Sequence, residues 1–544
     1  MNAHSNEPQV SDAPDLPATS AQRTEALSEI QEYLDVSQQR RRVLPRAVLV
    51  GLMAGAGAVI FRGALAGADS ARNALIAWSH QHAALGWIAP VLFSAAGATL
   101  SVLLVQRVAP EAKGSGIPHL KGVLHRLRTL RWARVVLVKM IGGALALGSG
   151  LALGREGPTV QIGGALGDGI ARGLNAAPRE RLTLTAAGAG AGLAAAFNAP
   201  LSGVMFVLEE VQRDFRPIVF GAAFISAVVA DIVTRLTSGQ GPAFVIPTYA
   251  MPSLATMPIF ALLGLVAGAL GVAFNRSLLA ALDRVREWSG RKRLIMSALV
   301  GAGIGLIGWF SPIAIGGGHS LAEDILNGHI AMAAVPLWFL LRFGMTIISY
   351  STGAPGGIFA PLLVLGALIG AGVGTLTQGL APELAPQPTA FAVAGMAASF
   401  TAIVRAPLTG IVLIVEMTGN YEQMLALLVS CFCAYAVAEV MKELPIYEAL
   451  LERDLAPGGL HLNLKEPIVI DLIVEPGAPF DGRRVSELGL PPGCILVRCQ
   501  DGARAWVPTA STRLEAHTRI TAMVSPQASN GVSIMRRGCQ SSID

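Results

Sequence analysis

The residues of this chain that could do chemistry are carboxylates and hydroxyls set among glycines at the start of apolar runs. Glu156 stands in Gly154-Arg-Glu-Gly-Pro158, immediately before such a run. A carboxylate there must be paired, protonated, or held where positive potential has been arranged for an anion. Glycine and proline can arrange it by opening a helix whose first amides lack intrahelical partners and whose dipole favours negative charge. Gly114-Ser-Gly-Ile-Pro118 and Gly356-Gly-Ile-Phe-Ala-Pro361 have the same character. Three helix starts and the Ser115 hydroxyl can therefore converge on one anion. A cage of neutral donors holds a halide weakly enough to release it. An ionised Glu156 can take the halide's place, so proton and anion compete at one gate.

Each residue also has a plainer reading. Ser115 can be only an N-cap, Tyr447 in Leu444-Pro-Ile-Tyr447 only an interfacial anchor, and Glu156 only an ion partner of Arg155. Glu209-Glu210, shortly before Arg213, can be a solvated helix end with nearby ion pairs. Ser115 and His119 share a segment at helical spacing, but that spacing alone does not build a hydrolase with oxyanion donors. The anion reading is favoured because the plain readings require several coincidences within one duplicated architecture.

The elements that must position these residues are membrane segments. Of 544 residues, 52% are hydrophobic and 14% charged, and the mean hydropathy is +0.54, so the bulk of the chain is solvated by lipid. The runs 47–60, 90–105, 218–233, 257–274, 294–309, 335–348 and 424–440 reach or approach the roughly 20 residues of a spanning helix. Ten or more segments are expected. The 61 glycines and 32 prolines are dense within apolar stretches, so broken helices must be buried, around an ion path. Arg40, Arg41, Arg42 and Arg46 precede or enter the first run, no signal-peptide pattern is seen, and the N-terminus is expected in the cytoplasm. Basic clusters recur at 126–139, 179–181, 213–216 and 284–293, whereas 238–253 and 378–387 carry no Lys or Arg, as alternating loops would. The formal charge of +5 is accounted for by topology and anionic lipid, with no nucleic-acid partner. The five cysteines follow no disulfide or zinc pattern and are read as reduced thiols.

The membrane region repeats itself. Pro158, Gly163 and Gly167 align with Pro361, Gly366 and Gly370, an offset of 361 − 158 = 203. Residues 199–209 (APLSGVMFVLE) match 406–416 (APLTGIVLIVE), an offset of 406 − 199 = 207. The drift of four residues is one small insertion. Matching broken segments in two halves point to a substrate site at their interface, near 156 and 359. The copies differ where chemistry would differ: Glu156 faces Phe359 in the alignment, and Glu210 faces Met417.

The three glycine motifs, in this order and followed by Tyr447, resemble those of the CLC chloride channels and transporters over about 43–450. The resemblance implies an all-α polytopic membrane protein with an inverted repeat of broken helices, assembled as a homodimer with one anion path per subunit. It implies that Ser115 and Tyr447 offer hydroxyls to a dehydrated anion, joined by the amides of Ile358 and Phe359. Deprotonated Glu156 would block the outer path, and its protonation would open the path and carry the proton. Glu210 aligns with the second acid of the family's internal Glu-Glu pair, which receives cytoplasmic protons in transporters and which many passive channels lack. The implied function is chloride/proton antiport, with a passive voltage- or pH-gated chloride channel as the alternative. It is a transporter rather than an enzyme and calls for no cofactor, chloride being the transported ion. The intact Ser115 motif and Tyr447 argue against the fluoride-exporting branch, and serine in place of proline argues against a dedicated nitrate exchanger. A bacterial inner membrane with both termini cytoplasmic is expected.

The ends differ from this core. Residues 1–42 form a cytoplasmic segment: a tip to about 20, disordered by its polar character and Pro8, Pro14 and Pro17, then a short amphipathic helix over 24–39 with Leu27, Ile30 and Leu34 on one face. Beyond Tyr447 hydropathy falls, and short strands are read at 468–474, 494–498 and 520–524. Residues 474–497 (VEPGAPFDGRRVSELGLPPGCILV), with Val507-Pro, Leu514 and Thr518-Arg-Ile-Thr, resemble the TrkA-C regulatory subdomain of potassium-uptake and potassium-channel gating proteins. That resemblance covers about 465–527 and implies a small cytoplasmic α+β domain serving a small-molecule regulator or a dimer contact. The acidic turn usual there is weakened by His517 and Thr518, and the segment is too short for paired CBS domains. A flexible tail is read over 528–544.

Overall fold

The computed structural model describes residues 20–540 apart from 83–84, 248, 386, 456–466, 502–503, 526–527 and 529. The membrane region is all helical. Its first half runs α1 (Ser20–His80), α2 (Ile88–Val108), α3 (Ile117–Leu124), α4 (Trp132–Gly148), α5 (Glu156–Gly173), α6 (Pro178–Phe197), α7 (Pro200–Phe206) and α8 (Pro217–Ser238). Its second half runs α9 (Met257–Arg284), α10 (Gly290–Phe310), α11 (His319–Leu326), α12 (Val335–Ser351), α13 (Phe359–Leu380), α14 (Ala390–Val404), α15 (Pro407–Thr418) and α16 (Met424–Val440), with α17 (Ile446–Leu455) after it.

Among the described residues, seven helices are long and apolar enough to cross a membrane, and three shorter apolar ones accompany them. The run at 424–440, read as a span, forms one of the shorter helices, of 17 residues. Leu236, Phe310, Leu380 and Phe432 are among many large apolar side chains on the outside, an arrangement that lipid favours and water does not.

The repeat extends through all eight helices of each half. α3 and α11 are both eight residues long and both opened by a left-handed glycine, Gly116 and Gly318, an offset of 318 − 116 = 202. α6 and α14 both end on a left-handed residue, Asn198 and Arg405, an offset of 405 − 198 = 207. α13 has 22 residues against 18 in α5, and this extra turn matches the four-residue drift. The halves are inverted. Glu209, at the end of the first copy, accepts the Leu408 and Thr409 amides at 3.1 and 2.7 Å and so caps the start of α15. Glu416 accepts the Leu201 and Ser202 amides at 3.0 and 2.8 Å and caps α7. Carboxylates at helix N-termini satisfy orphan amides and the helix dipole together, so Glu209 is a reciprocal cap and not a solvated helix end.

Glycine permits the innermost packing. A Cβ at Gly163 would overlap the Gly188 carbonyl and one at Gly188 the Gly163 carbonyl, and Gly366 and Gly395 meet in the same way. α5 is thereby pressed on α6, and α13 on α14.

Two readings of the ends are corrected. The helix expected over 24–39 is not separate, because α1 runs unbroken from Ser20 to His80 with Pro45 inside it. No glycine or proline lies between Ser20 and Leu44 to stop it. The tip at 1–19 lies outside the described residues.

The tail expected over 528–544 instead carries a helix, α18 (Asn530–Cys539), while 541–544 lie outside the described residues. Ala528, Met535 and Cys539 enter the core of the C-terminal domain with Val474, Phe480 and Leu514. The Glu475 and Phe480 amides donate to the Cys539 and Gly538 carbonyls at 2.9 and 2.8 Å. Apolar residues at 535 and 539, one turn apart, cover a sheet face that would otherwise be wet. That sheet contains β1 (Ile468–Ile473), β2 (Cys494–Asp501), β3 (Arg504–Trp506) and β4 (Arg519–Val524), antiparallel in the order β1-β4-β2-β3. All five cysteines are free, and burial pushes the Cys539 thiol up to about 11, which keeps it an unreactive core residue.

Candidate functional site

The three glycine motifs meet on one spot. Gly154 and Gly357 exchange amide hydrogen bonds, each donating to the other's carbonyl at 2.7 Å. Their offset is 357 − 154 = 203, so the pseudo-twofold relation of the halves passes between them. The Gly356 amide donates to the Gly114 carbonyl at 3.0 Å. A Cβ at Gly157 would touch both Gly357 and Ser115 at 2.9 Å, so backbone meets backbone there only because side chains are missing.

Glu156 is fully buried in the first turn of α5. Its Oε1 accepts the Ala360 amide at 2.8 Å, and its Oε2 has no hydrogen-bond partner. Its carboxylate sits against the amino end of α13, one residue past the Ile358 and Phe359 amides singled out in the sequence. A side chain at Gly154 would overlap this carboxylate.

Ser115 and Tyr447 are also fully buried. Ser115 Oγ accepts the Ile117 amide at 3.4 Å. The Tyr447 hydroxyl has no hydrogen-bond partner, an unusual state for a buried phenol and a fitting one for a group that serves a ligand. The Phe359 ring packs near Tyr447, with centroids 6.4 Å apart, and against Phe206 and Phe400. Ile358 is buried immediately before α13.

Two buried basic side chains had no site role in the sequence reading, and Lys139, counted there with the loop cluster 126–139, lies buried inside α4 instead. Lys139 Nζ donates to the Gly114 carbonyl at 2.5 Å, and Arg342 Nη1 donates to the Gly316 carbonyl at 2.8 Å. They are copies of one another, since 342 − 139 = 203 and 316 − 114 = 202. Neither has a carboxylate partner among the described ion pairs, and each holds the loop before α3 or α11 by donating to its carbonyl. A basic residue amid the apolar stretches 135–148 of α4 and 335–351 of α12 was the available signal.

Glu210 lies in the π-turn Val207–Val211 that follows α7, fully buried. Its Oε1 meets Lys121 Nζ at 2.6 Å, and the same ammonium meets Glu448 Oε1 at 2.5 Å. Arg213 pairs with Glu448. Glu448 follows Tyr447 directly in the chain, which joins the ion network to the hydroxyl site. Lys121 and Glu448 were not recognisable from sequence, because their pairing spans 327 residues.

Two cavities approach these loops. One, of about 540 Å³, is lined by Glu156 together with Arg62, Arg72, Arg155, Asp69 and His319. The other, of about 310 Å³, is lined by Gly114, Gly116 and Tyr350 together with Lys113, Arg128 and Arg293. Both carry an excess of cationic groups that raises the local concentration of anions.

The profile of the family described as voltage gated chloride channel matches residues 97–439. The chain belongs to the CLC family.

A second profile, the TrkA-C domain, matches residues 469–532. An H(+)/Cl(-) exchange transporter ClcA of Vibrio parahaemolyticus is 44% identical over 375 residues, 68% of this chain and 80% of the relative. One of Vibrio vulnificus is 42% identical over 432 residues, 78% of this chain and 92% of the relative. A slow cyanobacterial Cl-/H+ antiporter of known structure is 36% identical, with a TM-score of 0.75 covering 77% of this chain and 99% of the antiporter. A eukaryotic CLC transporter at 24% identity, covering 82% of this chain and 78% of its own, shares the fold with a TM-score of 0.65. The inverted repeat is thus the CLC fold, carried by a multi-pass membrane protein with a TrkA-C domain appended.

Proposed function

We propose that this CLC protein is a secondary active chloride/proton antiporter in which Glu156 is both gate and proton carrier. The observation that carries the reading is the Glu156 carboxylate on the Ala360 amide at the amino end of α13. A chloride ion would seek the same helix end, and two negative groups cannot share it. Protonation removes the charge and the reason to stay, so the side chain leaves as a carboxylic acid and the anion follows. Ser115, Tyr447 and the amides of Ile358 and Phe359 then complete the donor set. Glu210, buried with one oxygen free of hydrogen bonds, is the site that takes protons from the cytoplasmic side through the Lys121 and Glu448 network. The relatives named as H(+)/Cl(-) exchange transporters support this reading.

The alternative is a passive chloride channel on the same scaffold, in which Glu156 gates without carrying. The test is reconstitution into chloride-loaded vesicles, with external pH recorded while a chloride gradient runs down. Antiport drives protons against their gradient, and both Glu156→Ala and Glu210→Gln abolish that movement while chloride flux persists. Chloride flux without proton movement in the unaltered protein would leave the channel. We place the protein in a bacterial inner membrane as a homodimer with one path per subunit and both termini cytoplasmic, the TrkA-C domain serving a small-molecule regulator.

A further inference from the structure

Glu210 is fully buried, and exposure rises stepwise away from it: 3% at the Lys121 side chain, 23% at Glu448 and 51% at Arg213. Lys121 Nζ donates to Glu210 Oε1 at 2.6 Å and to Glu448 Oε1 at 2.5 Å, so one ammonium bridges the buried acid and the part-exposed one. Arg213 also pairs with Glu448 and stands 4.0 Å from Glu210 Oε2. Each carboxylate keeps its Oε2 free of hydrogen bonds, which leaves each a place for a proton. His125, just after α3, and the Tyr447 phenol lie within electrostatic reach of the same network.

Glu209 adjoins Glu210 in the chain but is committed elsewhere. Its two oxygens accept the Leu408 and Thr409 amides and the Thr409 hydroxyl, and a proton there would weaken the cap of α15. Among the described ion pairs, Glu448 is the acid that shares a cation with Glu210.

The transfer between them balances without a co-reactant. Lysine carries three N–H donors and, unlike arginine, can give one up when buried. With Glu448 protonated, Lys121 passes one proton to the Glu210 carboxylate, where an O–H bond forms as the N–H bond breaks. The Glu448 O–H then breaks toward the amine, which restores the ammonium and leaves Glu448 a carboxylate. One proton has moved inward, and charge is conserved at each step.

We propose that Glu448 is the proton-loading acid of this protein and that Lys121 relays its proton to Glu210. The proposal rests on the reading of Glu210 as the cytoplasmic proton site and names the supplier of that site.

The test uses the full-length protein in chloride-loaded vesicles, with proton and chloride movement recorded together for Glu448→Gln, Lys121→Arg and Glu210→Gln. Glu448→Gln keeps the shape but carries no proton. It should lower proton movement about 100-fold, the lower end of what a positioned acid supplies, while chloride flux persists. Lys121→Arg keeps the positive charge but holds its proton, and should uncouple as fully as Glu210→Gln. A lysine that only braces the fold or balances charge predicts normal coupling with arginine. Coupling at the unaltered ratio in either Glu448→Gln or Lys121→Arg, with Glu210→Gln uncoupled, overturns the relay and leaves Glu210 its role. Normal coupling in Glu210→Gln overturns the underlying reading as well. Should Glu448→Gln or Lys121→Arg not fold, Glu448→Asp decides. Its shorter side chain draws the carboxyl away from Lys121 and should slow proton movement, whereas an unchanged rate and chloride-to-proton ratio overturn the proposal.

Discussion

Replacing Glu156 with alanine probes the competition at the heart of the site. On the proposed mechanism chloride displaces a carboxylate that accepts the Ala360 amide at 2.8 Å. A hydrogen bond to a charged group contributes about 1.5–3 kcal/mol. Each 1.4 kcal/mol is a factor of ten, so the variant should bind chloride about 10- to 100-fold tighter near neutral pH. The pH dependence has a definite sign. Acid protonates Glu156 and withdraws the competitor, so chloride binding by the unaltered protein strengthens as pH falls. Glu156→Ala lacks the competitor at every pH, and its affinity should stay flat and equal to the acid limit. Glu156→Gln keeps the shape but not the charge and should lie near the alanine variant. Calorimetric titration of chloride from mildly alkaline to acidic buffer reads both quantities. Equal affinity and an equal pH profile in the two proteins would refute the reasoning, because the carboxylate would then not occupy the anion's place.

Two further predictions concern the scaffold. Glu209 and Glu416 each accept two amides and one hydroxyl at the opposite half's helix start; Glu209→Ala and Glu416→Ala should therefore destabilise the detergent-purified protein by similar amounts, about 2 kcal/mol each. Clearly unequal shifts in the thermal midpoint would show that the caps are not equivalent. In the C-terminal domain, Met535→Ala removes a side chain buried against the sheet and should cost about 2–5 kcal/mol; a hydrogen-exchange pattern in β1 and β4 indistinguishable from the unaltered protein would restore the flexible-tail reading.

The repeat was legible in part. Proline and glycine at 158, 163, 167 and at 361, 366, 370 announced α5 and α13, because broken helices need those residues wherever they occur. The matching of α3 with α11 was not legible, since Gly316-Gly-Gly318 shares only glycines with Gly114-Ser-Gly116, and the likeness resides in left-handed backbone. The tail over 528–544 was misread because Met535 and Cys539 are too few to show a helical period, and their burial depends on a sheet formed far away in the chain. The helix read over 24–39 was ended at Gln39, whereas α1 continues through Pro45 to His80.

Composition and motif determined by themselves that this chain lives in lipid, is built twice from one pattern, and opens several helices with glycine and proline where an anion could be held. These are local matters: hydropathy, glycine and proline act on the segments that contain them. Tertiary structure alone decided which groups face one another. Only the folded chain puts Glu156 on the Ala360 amide, Glu209 and Glu416 on each other's helices, and Lys121 between Glu210 and Glu448. Contacts across such separations follow from how helices cross and pack, and no spacing along the sequence encodes them.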